Sequence, residues 1–210
     1  MFPNPRQTTT EGLLAVGGQL GINTLKEAYA NGIFPWPQEG LPLLWFSPDP
    51  RGVIDFNEMT GAQSFYKWKK KSADQFELTI NQAFTDVIHQ CRLARRPHQA
   101  GSWILPEMET AYTDLFAAGW GISVECWQSK KLVAGIYGVK AISSGGVAYV
   151  SLESMFYKIS NTSKLALWFM LTELQKQGYT WVDIQMVTDV TSQFGGKYIS
   201  KEEFLARLRI

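Results

Sequence analysis

The chain predicts an α+β fold, a small N-terminal domain over 1–55 followed by a larger mixed sheet with packed helices over 56–210. Three features carry that prediction. Apolar residues alternate with period two in ISVECWQ, LVAGIYGVKAI and VAYVSLESMF, which follow one another and read as antiparallel strands. A broad apolar helical face over 161–177 and a further strand, TWVDIQMV, come next, the order expected of helices packed on a sheet. Upstream, prolines at 35, 37, 42, 48 and 50 forbid a long helix or central strand and set off a rigid, irregular ribbon.

In chain order, GLLAVGGQL supplies an apolar segment and a glycine turn. A short helix follows, with Thr24 and Glu27 spaced as a capping box and Gly32 as its stop. Glycines 17, 18 and 21 do not match GxGxxG and are expected to form turns. MTGAQSFYKWKKK predicts a helix, FELTI a strand, and NQAFTDVIHQCRLARR a helix capped by Asn81. ILPEMETAYTDLFAAG predicts another, with Pro106 in its first turn and Gly119 at its end. SSGG (143–146) turns a hairpin, Gly178 ends the long helix, and SKEEFLARL closes the chain as a helix with a Ser200–Glu203 box.

Composition narrows the functional classes. At 45% hydrophobic and 13% aromatic the chain supports a packed core, and eight tryptophans suit flat ligands as well as cores. The formal charge of +1 does not announce a nucleic-acid binder, but KWKKK (67–71) and RLARRPH (92–98) concentrate positive charge. Runs of this kind are ordinarily solvated faces, and they are also compatible with a phosphate-rich partner. Cys91 and Cys126 lack CxxC spacing and, with His89 and His98, form no zinc pattern, so no metal is expected. No signal-peptide pattern and no apolar run of bilayer length is present, so the expectation is a cytoplasmic protein without membrane contact.

On a strand, residues two apart share a face. Glu153 is therefore expected beside Met155, and Asp183 beside Gln185, each pair among apolar neighbours. Should the two strands adjoin, three polar groups converge on an oily surface, the usual form of a small-ligand site. The plainer alternatives are a salt bridge from Glu153 to Lys158 or Lys164, and an Asp183 that accepts backbone N–H groups at a strand end. No nucleophile-and-base pair is visible, so chemistry here would rest on positioning and proton management rather than a covalent enzyme intermediate.

GLLAVGGQL, LKEAYANGIFPWP, LLWFSPDPRGVI, SWI, ETAYTDL, SVECW, AGIYGV, ESMF followed by N-x-SK, and VDIQ run in this order from about residue 12 to the C-terminus. In order and spacing they resemble the leucyl/phenylalanyl-tRNA–protein transferases. The resemblance implies a small N-terminal domain followed by an acetyltransferase-like sheet, and no cofactor. It also implies transfer of leucine or phenylalanine from aminoacyl-tRNA to proteins with N-terminal Arg or Lys, marking them for degradation, by an enzyme that can work as a monomer. By matched motif, Trp36, Trp103 and Tyr112 would contact the terminal adenosine of the tRNA. Ile136, Met155, Leu167, Met170 and Val182 would line the amino-acid pocket, and Glu153, Asp183 and Gln185 would form the catalytic group. Lys67, Lys69, Lys70, Lys71, Arg95 and Arg96 would be the basic residues facing tRNA.

The chain departs from the family pattern at Leu152, where a glycine is usual, at Met170, where the pocket usually presents a ring, and across 60–64, where a basic helix start is usual. Two other readings stand beside the first. An acyl-CoA-dependent N-acyltransferase would want a glycine-rich pyrophosphate loop, for which SNTSK is a poor substitute. A non-catalytic RNA- or peptide-binding remnant would leave the Asp183/Gln185 couple without a task.

Overall fold

The computed structural model describes residues 1–94 and 103–210. The N-terminal part contains strand β1 (Leu13–Val16), helix α1 (Ile22–Ala30) and strands β2 (Phe34–Pro35) and β3 (Leu44–Phe46). Then come β4 (Arg51–Asp55), α2 (Gln63–Ser72), β5 (Glu77–Ile80), α3 (Phe84–Leu93) and α4 (Pro106–Ala117). Three long strands follow, β6 (Gly121–Gln128), β7 (Lys131–Ile142) and β8 (Ala148–Tyr157). The chain ends through α5 (Thr162–Lys176), β9 (Trp181–Gln185), α6 (Asp189–Ser192), β10 (Gly196–Ile199) and α7 (Lys201–Leu208).

A three-stranded sheet has the order β1-β3-β2, and a seven-stranded sheet the order β10-β4-β9-β8-β7-β6-β5. In the large sheet neighbours run antiparallel except β8 and β9, which are parallel and matched at one pair, Ser151 with Asp183. This mixed sheet carries helices on both faces. One face carries α1, α3, α4 and α7 through residues such as Tyr29, Val87, Tyr112 and Phe204. The other carries α5 and α2 through Leu165, Leu167, Leu171, Leu174 and Phe65. Each fully buried leucine of α5 stabilises the fold by about 1.5–3 kcal/mol relative to exposure.

Three sequence expectations change. The strand over 51–55 was assigned to the N-terminal side of a join near residue 55, yet it pairs inside the large sheet between β10 and β9. Ile33, Phe34 and Trp45 also belong to the same core as α3, α4 and α7, because the short N-terminal strands bury too little by themselves. Helix α1 starts at Ile22 with Gly21 as an N-cap lacking a side-chain bond, so Thr24 lies inside it, and Glu27 accepts from the Phe2 N–H. Asn81 does not cap α3: its φ is 59°, its Oδ1 accepts from the Ser123 N–H, and α3 begins at Phe84. Buried Glu125 serves that helix start instead, accepting from the Gln82 and Ala83 N–H groups. The hairpin turn and Pro106 at the start of α4 stand as read; Ser200 caps α7 by accepting from the Glu203 N–H, but the box is not closed, since the Glu203 carboxylate accepts from Arg207.

Candidate active site

Glu153 lies on β8 at an irregularity in the β7–β8 ladder. Tyr137 faces Ser154 and Gly138 faces Leu152, so Glu153 is the extra residue of a bulge. Met155 and its partner Ile136 pack into the α5-side core, while Glu153 reaches the Tyr29–Tyr112 side. The expected sharing of a face by Glu153 and Met155 is thereby overturned. Gly138 permits the bulge: a Cβ there would stand 2.5 Å from the Ser151 carbonyl oxygen.

Asp183, fully buried on β9, sits in a ring of donors. Arg51 of β4 grips it twice, Nε to Oδ1 at 2.9 Å and Nη2 to Oδ2 at 2.7 Å. The Gln185 backbone N–H donates to Oδ1 at 2.9 Å, and the Ser151 hydroxyl to Oδ2 at 3.1 Å. Four donors occupy the carboxylate, so its chemistry is that of a fixed acceptor rather than a proton shuttle. Gln185 has φ 57°, a left-handed conformation that costs a non-glycine residue about 1–3 kcal/mol and is held here by surrounding bonds. Its Nε2 donates to Glu153 Oε1 at 2.9 Å and to the Ser151 hydroxyl at 3.1 Å. With both amide hydrogens engaged, what the side chain retains for a ligand is its carbonyl oxygen.

Glu153 is thus paired with neither lysine that the sequence offered. Lys164 donates to Gln193, and Lys158 lies over the Phe156 ring. Glu153 Oε2 is buried with no hydrogen-bond partner among the described residues. Burial pushes the carboxyl up to about 7, against the pull of the nearby Tyr29 hydroxyl and the Gln185 amide. Tyr29 itself shares a 2.6 Å hydrogen bond with Tyr112, and burial holds both phenols well above their ordinary value.

Because β8 and β9 are matched at one pair, a slot opens where they diverge. Its volume is about 80 Å³, and Ile136, Leu152, Glu153, Met155, Leu167 and Ile184 line it, with Met186, Thr188 and Thr191 at β9's outgoing end. Leu152 narrows the slot without closing it. Of the expected pocket residues, Ile136, Met155 and Leu167 line the slot, whereas Met170 and Val182 are buried behind it in the same apolar cluster. Helix and strand periodicity gives the side of an element, not the depth at which a side chain ends.

Trp36 and Trp103 lie half-buried and stacked, centroids 5.2 Å apart at 24°. Tyr112 does not join them at the surface: it is fully buried, and its ring offers no face for a base to stack on. Lys67, Lys70 and Lys71 are exposed on α2, and Lys69 lies 3.8 Å from the Trp168 ring centroid, a cation–π contact. Arg95 and Arg96 fall outside the described residues. A larger open groove of about 440 Å³, lined by Leu20, Leu43, Glu107 and Asp114 among others, shares no residue with the slot and holds none of the groups just described. Sequence reasoning missed Ser151, Tyr29 and Arg51 as site residues. Arg51 had a signal, the string SPDPR, whereas nothing local distinguishes Ser151 from other strand serines.

A mixed sheet parted between two parallel strands sets a buried carboxylate and an amide oxygen beside an apolar slot, an arrangement that can position an amine and an acyl group for transfer. A Bacteroides thetaiotaomicron VPI-5482 protein of unknown function shares the fold, at TM-score 0.50 and 12% identity over 71% of this chain and 58% of that one. Residues 53–209 match the family "Leucyl/phenylalanyl-tRNA protein transferase", and residues 18–49 match its N-terminal domain. Relatives named leucyl/phenylalanyl-tRNA–protein transferase are 42% identical in Desulfotalea psychrophila, over 100% of this chain and 89% of theirs, and 42% in Oleidesulfovibrio alaskensis, over 99% and 83%. The chain belongs to the leucyl/phenylalanyl-tRNA protein transferase family and is an aminoacyltransferase.

Proposed function

We propose that the protein moves leucine or phenylalanine from the 3′ end of aminoacyl-tRNA to the α-amino group of an acceptor protein bearing N-terminal Arg or Lys, in the cytoplasm, and so marks it for degradation. The observation that carries the site assignment is the buried Glu153 Oε2, without a hydrogen-bond partner among the described residues, at the wall of an apolar slot next to the amide of Gln185.

The ester of aminoacyl-tRNA is already activated, so aminolysis needs a neutral amine held at attack distance, and orientation of that kind supplies roughly 7–11 kcal/mol. A free α-amino group titrates at about 7.7–8.0, close to the value of about 7 at Glu153, which suits proton transfer between them. The acceptor ammonium gives one proton to Glu153 Oε2, and the Gln185 carbonyl oxygen accepts a second N–H and aims the lone pair. The C–N bond forms as the ester C–O bond breaks, and the N–H lost on amide formation ends on the departing 3′ oxygen. The apolar slot takes the donor side chain. The Trp36–Trp103 pair offers its outer face to the terminal adenine, worth about 1–3 kcal/mol per stacked base. The α2 lysines engage tRNA phosphates. Among the described residues no helix is long and apolar enough to cross a membrane.

The test mixes the protein with tRNA charged with labelled leucine or phenylalanine and an acceptor bearing N-terminal Arg. Label enters the acceptor from charged tRNA and not from an acyl-CoA, and Asp183→Ala abolishes transfer while tRNA binding persists. Label arriving only from acyl-CoA, or from neither donor, sinks the proposal.

A further inference from the structure

We propose that Arg51 is a positioning residue of the transfer reaction: clamped between two aromatic rings, it pins the Asp183 carboxylate and through it fixes the left-handed Gln185 backbone that presents the amide to substrate. The inference rests on the reading of Gln185 given above.

Arg51 is buried on a strand in the interior of the sheet. Its guanidinium lies 4.8 Å from the Phe34 ring centroid and 4.5 Å from that of Phe204, which hold its plane. Two of its nitrogens meet Asp183 in fork geometry, and the third, Nη1, is buried with no hydrogen-bond partner among the described residues. Such a pair is a poor device for stability alone, since apolar side chains of similar volume commonly serve as well or better. What apolar side chains cannot do is donate to both oxygens of a carboxylate in a dry sheet and turn its Oδ1 toward one backbone N–H.

That N–H belongs to Gln185, at the residue where β9 leaves regular geometry. The chain of contacts runs Arg51–Asp183–Ser151–Gln185–Glu153, every link a side-chain hydrogen bond of 2.7–3.1 Å. Arg51 stands at the end of this chain away from Glu153. Lysine cannot reproduce the fork, since it presents one nitrogen where the site uses two.

The experiment compares the full-length protein with Arg51→Met, Arg51→Lys and Arg51→Met/Asp183→Asn. Its first readout is NMR hydrogen exchange at the Gln185 N–H, which requires no activity. Arg51→Met is expected to speed exchange at Gln185 at least tenfold beyond any change at β6 and β7. With charged tRNA and an N-terminal Arg acceptor, kcat is expected to fall about 100-fold with KM for the tRNA within twofold. Arg51→Lys should recover part of the loss.

In the Asp183→Asn background, removing Arg51 should add no further loss of kcat, which also decides the matter if Arg51→Met alone does not fold. Unchanged Gln185 exchange in a folded Arg51→Met, or losses that simply add in the double variant, overturns the proposal. If the wild type transfers nothing from tRNA, the functional reading falls, while the exchange result still decides whether Arg51 positions Gln185.

Discussion

Gln185 and Glu153 meet side chain to side chain at 2.9 Å, although their strands, parallel neighbours in the sheet, are matched by backbone pairing only at Ser151 and Asp183. A bulge on β8 and a left-handed residue on β9 bring the two groups into reach. Each of the following predictions tests one part of that arrangement.

Glu153 carries a cost that depends on pH. Its folded value of about 7 lies above the ordinary 4.5, so between these values the folded state binds the extra proton. Stability therefore falls as pH rises from about 4.5 to about 7 and then levels, by roughly 3 kcal/mol in all. Glu153→Gln removes this slope. Urea unfolding should find the variant more stable than wild type at pH 8 and close to it at pH 5, with transfer lost. Parallel stability curves for the two proteins would mean that the carboxyl is not desolvated as described.

Gly52 faces Gln185 across the β4–β9 ladder, where a Cβ would lie 2.9–3.0 Å from the Met186 backbone. Gly52→Ala must push the end of β9 outward, at about 1–3 kcal/mol of stability. Transfer should slow at least tenfold while tRNA affinity, measured by filter binding, is unchanged. A variant as active as wild type would show that the Gln185–Met186 geometry is not needed for turnover.

Leu152 narrows the slot. Leu152→Ala widens it, at about 2–5 kcal/mol of stability for a buried leucine. Since a methylene in an apolar pocket is worth about 1–3 kcal/mol of discrimination, the ratio of kcat/KM for phenylalanyl- over leucyl-tRNA should rise about tenfold. An unchanged ratio would place donor selection elsewhere.

Lys70 is exposed on α2 and remote in sequence from β8 and β9. Lys70→Glu should weaken tRNA binding and lower the slope of log K against log salt by about one or more, leaving kcat at saturating tRNA within twofold. Binding and slope that match wild type would remove this face from the tRNA path.

Local patterns in the chain announced the sheet well: period two marked β6, β7 and β8, the 143–146 turn joined two of them, and the apolar face of α5 stood out. They also brought Glu153, Asp183 and Gln185 into one hypothesis. Strict alternation then failed at Glu153 and Met155, because a bulge adds a residue on one strand only and leaves no mark in that strand's apolar period. Helix caps failed at Thr24 and Asn81 for a related reason. A capping signal is local, whereas the donor or acceptor that satisfies a helix end can come from another strand, as Glu125 does for α3.

The amino-acid order alone determined which segments are strands and helices, the family pattern, and the choice of Glu153, Asp183 and Gln185 as candidates, because backbone preference and motif spacing are properties of neighbours along the chain. Tertiary structure alone decided that Asp183 is held by Arg51 and Ser151, that Gln185 keeps only its carbonyl oxygen for a ligand, that Tyr112 is internal, and that the slot lies between β8 and β9. Those outcomes depend on which groups share the scarce hydrogen-bond partners of a dry interior, and that competition is settled between residues up to 132 positions apart.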